Sequence, residues 1–394
     1  LSSSSAASDV YKRQVLLRCW VNNSTCFALY VLRFMFRRAT VLWCVARFVS
    51  CLIPVLLLVS CASPLPEVIK IGLVAPFEGQ YRALGYDAIY AARLAVREIN
   101  AAGGVAGWKL ELVAYDDRAD VEMARTAARN LVIDPDVVAV IGHYRQASTA
   151  EAYPVYAEAG LPLLVVGGWL TDTCELAWHI APAPERVAGA MVSIEPDAST
   201  RTAVVLGKGP LLAPLDAEVQ ARAYHRPALS SLPDLLFSTL SPVETAEHLV
   251  AWRDEGWQGV LIGGADLATT AFAQVAGEAA TGTYFVTPYP FPQDQPELAD
   301  WVTAYQAVGP HVPSPGLYAL PTYEAVYVLA DVIASAVKTT GMPTRDSLVA
   351  TLPDVRHTGA LSEIAWDEDG FLRNGGVYVY RWENGVPELV RHVR

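Results

Sequence analysis

The chain has 394 residues, 53% of them apolar and 18% charged, with a formal net charge of −12. It is too long for one ordinary domain and suits two, and it is too apolar to be disordered. Seven of the 29 Lys and Arg residues but only one of the 41 acids lie in residues 1–60, so residues 61–394 carry −18; such an acidic body repels phosphate backbones and argues against nucleic acid as a partner.

The N-terminus reads as an address rather than a fold. Residues 1–34, beginning LSSSSAASDVYKRQ, look like translated adapter or vector sequence, and the natural start is expected at Met35. Arg37 and Arg38 supply a positive n-region, and the uncharged run from Phe48 to Val59 is too short to span a bilayer. Residues 35–60 are therefore expected to be a lipoprotein signal peptide. Leu58-Val59-Ser60-Cys61 has the form of a bacterial lipobox, with Cys61 as the lipid attachment point and residues 61–66 as a tether. Five of the six cysteines lie in the first 61 residues. Only Cys174 lies beyond them, so the body is not stapled by an internal disulfide.

From Val68 the chain alternates strands and helices. VIKIGLVA (Val68–Ala75) is a short apolar run bounded by Pro76 and Gly79, hence a strand. Ala83–Ala102 carries apolar residues at helical spacing and stops at Gly103-Gly104. Lys109–Ala114, Val137–Ile141 and Pro162–Val166 are predicted strands, and Val121–Ile133 and Ala147–Ala159 are predicted helices. This succession implies a parallel sheet with helices on both faces. A second round follows, with strands at Arg201–Leu206, Gly259–Ile262 and Gly282–Thr287 and helices at Val243–Glu255, Ala268–Ala279 and Tyr323–Val337. A strand at Val377–Trp382 and the turn Glu383-Asn384-Gly385 complete the pattern.

Catalytic signatures are lacking. There is no G-x-x-x-x-G-K-[ST], no G-x-G-x-x-G and no G-x-S-x-G. The seven histidines are scattered singly, without metal-ligand spacing, and no metal or cofactor is expected. Asp367-Glu368-Asp369-Gly370 lacks the alternation of a calcium loop and reads as a solvated turn.

Three loops at carboxyl ends of strands stand out, because open α/β sheets bind ligands there. They are Pro76–Leu84 (PFEGQYRAL), Gly142–Thr149 (GHYRQAST) and the run from Gly167 to Thr171 (GGWLT). Tyr144 and Gln146 are candidates for pocket wall and polar hand, with Ser148 in the same loop. Trp169 offers a flat apolar face, though core packing would suit it too. Tyr81 and Arg82 suit an anionic or aromatic solute, or a solvated loop. Asp266 could face a cationic group or cap the helix after it. Tyr289 and Tyr318 complete the candidates.

The run IKIGLVAP, then AVREINAAGGVAGWKLELVAYDD, VIGHYRQASTAEAYPVYAEAGLPLL, TYEAV and IAWDEDGFLRNGGVYVYRWENG, in this order and spacing, resembles the type I periplasmic binding proteins, close to the leucine/isoleucine/valine-binding group of ABC importers. The resemblance implies an α/β fold of two Rossmann-like lobes with parallel-rich sheets joined by three crossovers. Lobe 1 would be 67–181 with 289–373, and lobe 2 would be 184–286 with 376–391. Hinges would fall near Ala181–Pro184, Val286–Tyr289 and Arg373–Gly376. It implies an extracytoplasmic, non-enzymatic lipoprotein, expected to be a monomer, held to a bacterial membrane by its lipid. Such a protein captures a small polar solute (an amino acid or something like one) and hands it to an ABC permease. The alternative is a ligand sensor or envelope assembly protein that keeps the fold without transport. Several positions depart from the amino-acid binders. Gln146 stands where they have a small hydroxyl residue, and Trp169 or Leu170 where they have a threonine, Thr171 being the nearest hydroxyl. Leu211 or its neighbour replaces an aromatic residue, and the segment that carries their acidic residue for the ligand amine is deleted between Val275 and Thr281. Ala119 and Arg145 correspond to cysteines paired in some relatives.

Overall fold

The computed structural model describes residues 67–393 apart from 171–173, 196–199, 226, 228–230 and 361. The signal peptide, Cys61 and Thr171 lie outside the described residues. The chain runs through β1 (Val68–Ala75), α1 (Arg82–Ala101), β2 (Lys109–Asp116), α2 (Val121–Ile133), β3 (Val137–Ile141), α3 (Gln146–Glu158), β4 (Leu163–Val165) and β5 (Ala177–His179). It continues through α4 (Pro184–Val192), β6 (Ala203–Gly207), α5 (Leu212–Ala221), β7 (Leu235–Thr239), α6 (Pro242–Asp254), β8 (Val260–Gly263), α7 (Thr270–Ala276) and β9 (Tyr284–Thr287). The last elements are α8 (Ala299–Gln306), α9 (Ala319–Thr340), α10 (Arg345–Thr351), the short pair β10 (His357–Thr358) and β11 (Glu363–Ile364), and the hairpin β12 (Val377–Glu383) and β13 (Val386–Val393).

Apart from the β10–β11 pair, these strands form two sheets. The first is wholly parallel, in the order β2-β1-β3-β4-β5. The second has the order β13-β12-β9-β8-β7-β6, parallel from β6 to β9 with β12 and β13 added antiparallel. Central strands such as VVAVI in β3 are buried at every residue, as a parallel strand covered on both faces must be. Each sheet has an apolar cluster on either face. Ile71, Leu73 and Ile141 pack toward α1 and α9, while Val74, Val140 and Leu163 pack toward α2 and α3. In the second sheet Phe237 and Ile262 face α4 and α5, and Leu236 and Phe285 face α6 and α7. Each such side chain contributes about 1.5–3 kcal/mol by leaving water. α9 is long and apolar enough to cross a membrane, but most of its surface is covered by the first lobe, as in the core helix of a soluble domain.

The chain passes between the sheets three times. It leaves the first after β5 and enters the second lobe at α4. It returns after β9 through Pro288–Pro290 to α8, α9 and α10, and crosses again between Leu372 and β12. Residues of all three passages line one cavity, and the strand-end loops of both lobes line another.

The elements absent from the sequence expectation have local reasons. β13 is an exposed edge strand, with Val386 and Val390 in solvent, so it lacks an apolar pattern. β5 has three residues, too few for periodicity. The helix expected at Ala268–Ala279 is interrupted at Gly277, whose φ of +53° breaks it into α7 and a 3₁₀ turn. α9 begins at Ala319 rather than Tyr323, because Pro321 falls in its first turn, where no N–H is needed.

Candidate functional site

The site begins with two glycines. A Cβ at Gly142 (φ +138°) would stand 2.4 Å from the Val74 carbonyl oxygen, and one at Gly167 would stand 2.5 Å from the Tyr144 Cα. The loops after β3 and β4 therefore touch backbone to backbone, which only glycine permits. Below them a fully buried chain anchors the first loop. Asp117 lies 2.7 Å from His143 Nδ1, and His143 Nε2 lies 3.1 Å from the Tyr156 hydroxyl. The Thr149 hydroxyl donates to the Gly167 carbonyl at 2.8 Å, pinning the second loop to α3.

Gln146 completes the join. Its amide donates to the Trp169 carbonyl at 2.9 Å and accepts from the Trp169 N–H at 2.8 Å, as a neighbouring strand would. The expected polar hand is thus turned inward on the loop. Trp169 itself lies across the join between lobes: its indole N–H donates to the Pro182 carbonyl at 3.0 Å, and its ring packs on the core of the second lobe. The next residue, Leu170, donates its N–H to His179 Nε2 at 3.0 Å. His179 is buried and neutral, its pKa pushed down to about 4 by desolvation.

Three tyrosines form the floor. Tyr144 and Tyr318 meet edge to face with centroids 5.7 Å apart, and Tyr289 meets Tyr318 at 6.0 Å. The Tyr144 hydroxyl is 2.6 Å from the Thr322 hydroxyl, and the Tyr289 hydroxyl donates to the Val166 carbonyl at 3.0 Å. Tyr318 is placed by Asp87, whose buried carboxylate accepts from the N–H groups of Gly316 (2.8 Å) and Tyr318 (3.3 Å). Desolvation pushes the Asp87 pKa up to about 7.

The second lobe supplies the opposite wall from its own strand ends: Lys208 and Leu211 after β6, Thr239 and Leu240 after β7, and Gly264 and Asp266 after β8. Lys208 pairs with Glu244 at 2.9 Å. Between the walls lies a cavity of about 100 Å³ lined by Tyr144, Gln146, Trp169, Asp266 and Tyr318 among others. One ion pair spans the cleft, from Arg145 of the first lobe to Asp266 of the second. Arg145 is 14% exposed and Asp266 38%. The guanidinium also stacks on the Tyr81 ring, 4.3 Å from its centroid.

The structure thus brings six of the expected residues, Tyr144, Gln146, Trp169, Asp266, Tyr289 and Tyr318, to one cavity and places Tyr81, Arg82 and Ser148 elsewhere. Tyr81 lies beneath Arg145 and lines an adjoining cavity of about 140 Å³ with Leu317 and Tyr318. Arg82 is exposed at the start of α1. Ser148 is buried inside α3, away from the cavity, and its hydroxyl has no protein partner. Asp266 does not cap α7; Thr269 does, accepting from the Phe272 N–H. The main residue absent from the sequence expectation is Arg145. It sits between Tyr144 and Gln146, where the resemblance matches it to a cysteine of some relatives and implies no charged group.

The sequence profile of a family described as "Periplasmic binding protein" matches residues 68–208 and 209–386. A "Leu/Ile/Val-binding protein homolog 1" of Brucella melitensis is 25% identical over 355 residues, covering 83% of this chain and 93% of that protein. A "Leucine-, isoleucine-, valine-, threonine-, and alanine-binding protein" of Pseudomonas aeruginosa is 25% identical, covering 80% and 90%. Among solved structures, a leucine binding protein from Thermotoga maritima superposes with a TM-score of 0.70 at 20% identity, covering 83% of this chain and 99% of that one. A solute binding protein from R. palustris in complex with 4-hydroxybenzoate gives 0.69 at 16% identity, covering 83% and 97%.

Proposed function

Because the chain belongs to the periplasmic binding protein family, a family of solute binders rather than enzymes, we propose that it is the extracytoplasmic solute-binding subunit of an ABC importer, and that its two lobes close over a small organic solute. The observation that carries this reading is the cavity lined from both lobes and spanned by Arg145 and Asp266. A solute held there touches both lobes only when they are together, so its binding energy goes into closure. The relatives are named for aliphatic amino acids and a structural neighbour was solved with 4-hydroxybenzoate; each of those solutes carries a carboxylate, which suits Arg145. We further propose that Cys61 carries lipid and tethers the protein outside the membrane, with a permease reading the closed form. Radiolabelled palmitate should label the expressed chain and not Cys61→Ser; equal labelling of both would remove the anchor.

Thermal unfolding tests the site. With a panel of amino acids, amides and small carboxylates, a true solute at a hundred times its dissociation constant stabilises the fold by about 2.7 kcal/mol, a shift of a few degrees. Trp169→Ala should abolish that shift while leaving a cooperative transition. A shift unchanged in Trp169→Ala places binding outside the cleft.

A further inference from the structure

The charge pattern of the cleft narrows the solute. Arg145 is nearly buried, stacked on Tyr81, and stands at the N-terminus of the 13-residue helix α3, whose first N–H groups point out of the helix. Guanidinium and helix end together make a site for an anion. The side-chain carboxylate of Asp266 pairs with the guanidinium, reaching across from the other lobe. Among the described residues lining the cavity the charged side chains are Arg145, Lys208 and Asp266. Asp266 is thus the one acid there, and its charge is already spent on Arg145. Behind the lining, Asp87 is buried and holds two backbone N–H groups, and Glu244 is paired with Lys208. An ammonium group entering this cavity would lose its water without gaining a counter-charge. Besides the polar Gln146, Ser238 and Thr239, the lining includes Tyr144, Trp169, Leu211, Leu240, Tyr289 and Tyr318, which suit an apolar body.

Resting on the reading of this cleft as the solute site, we propose that it takes a small carboxylate without an ammonium group, and that Asp266 is a tethered competitor whose side chain holds the position the solute's carboxylate takes on Arg145. A solute displaces Asp266, which is over a third exposed on a short turn after Gly264 and turns to water. The cavity volume of about 100 Å³ favours a short chain; an apolar cavity that admits benzene measures roughly 150 Å³.

The sign of one substitution separates the solute classes. Isothermal titration of the wild type, Asp266→Asn and Arg145→Gln would use isovalerate and 2-oxoisocaproate as amine-free acids, and leucine and valine as their amino counterparts. The wild type should bind an amine-free acid. Asp266→Asn should bind it about tenfold more tightly, the scale of one charge-assisted contact removed from competition, and Arg145→Gln should lose it. Asp266→Ser, which cannot reach Arg145, should behave as Asp266→Asn does, guarding against a folding defect peculiar to one variant. Tight binding of leucine or valine that weakens in Asp266→Asn would overturn the proposal, since Asp266 would then be the partner of an amine; the solute-site reading would stand. Binding of neither acid to wild type or Asp266→Asn would also overturn it, leaving the solute-site reading to the broader thermal panel.

Discussion

Two buried titratable groups set how the site responds to pH, and they act in opposite directions. Asp87, raised to about 7, favours its protonated form in the folded state. Its stabilising effect is complete below the unfolded carboxylate value near 4 and fades as pH rises to about 7. Full ionisation costs up to about 4 kcal/mol. His179, lowered to about 4, favours its neutral form. Its contribution is complete above the unfolded value near 6.5 and is lost as pH falls toward 4, on the order of 3 kcal/mol. The two trends offset one another between pH 4 and 6.5, so the wild-type unfolding free energy should change little there. Asp87→Asn should leave the acid-sensitive trend exposed, with stability falling as pH drops below 6.5. His179→Gln, which can still accept from Leu170 and donate to Gly370, should leave stability rising toward acid. Denaturant titrations at pH 4, 5.5 and 7 read both; identical profiles for the three proteins would refute the assignment. None of this was legible in the sequence, where Asp87 is one acid in a helix and His179 one of seven lone histidines. What was legible at this scale was residue type in a strand-end loop: Tyr144 and Trp169 reach the cavity. Gln146 illustrates the limit, because only the three-dimensional contact shows its amide spent on Trp169.

Between elements, the site depends on how closely β3 and β4 deliver their loops. Gly167→Ala places a methyl group against the Tyr144 backbone, which cannot yield as a side-chain tip would. We expect a destabilisation of about 1–3 kcal/mol and a weaker solute-induced thermal shift, because Trp169 is pushed away from Tyr144. Gly168→Ala would instead press on the flexible Gln146 side chain, but at φ +85° it is also strained. A Gly167→Ala variant with an unchanged melting temperature would show that the two loops are not held together. The buried parallel strands were readable from their unbroken apolar runs, and helix α2 from its apolar spacing, where the structure adds an Asp120 cap that accepts from the N–H groups of Glu122 and Met123. β7, with the run LLFST, and the edge strand β13 were not read. The first is a short apolar run that periodicity cannot assign; the second carries its information in the Asn384-Gly385 turn (φ +50° and +81°) that forces the hairpin, rather than in its own residues.

At the scale of the whole molecule, the chain passes between the sheets three times, and a cavity of about 480 Å³ is lined by residues of all three passages, Ile180, Tyr289, Asn374 and Gly376 among them. In the closure proposed above, the lobes would part by adjusting these passages, while each sheet keeps both of its apolar faces covered. The two-lobe plan was readable because the β-α alternation occurs twice; the strand order within each sheet was not, since the handedness rule fixes how each unit turns and not which strand it lands beside. The size and charge of the space between the lobes were not readable, since they depend on which strand ends meet across it. The most direct test of closure over a solute is small-angle X-ray scattering of the protein with and without the compound that gives the largest thermal shift. We predict a smaller radius of gyration with the compound for the wild type, and no change for Trp169→Ala. A wild-type radius that stays constant at saturating compound would contradict the account.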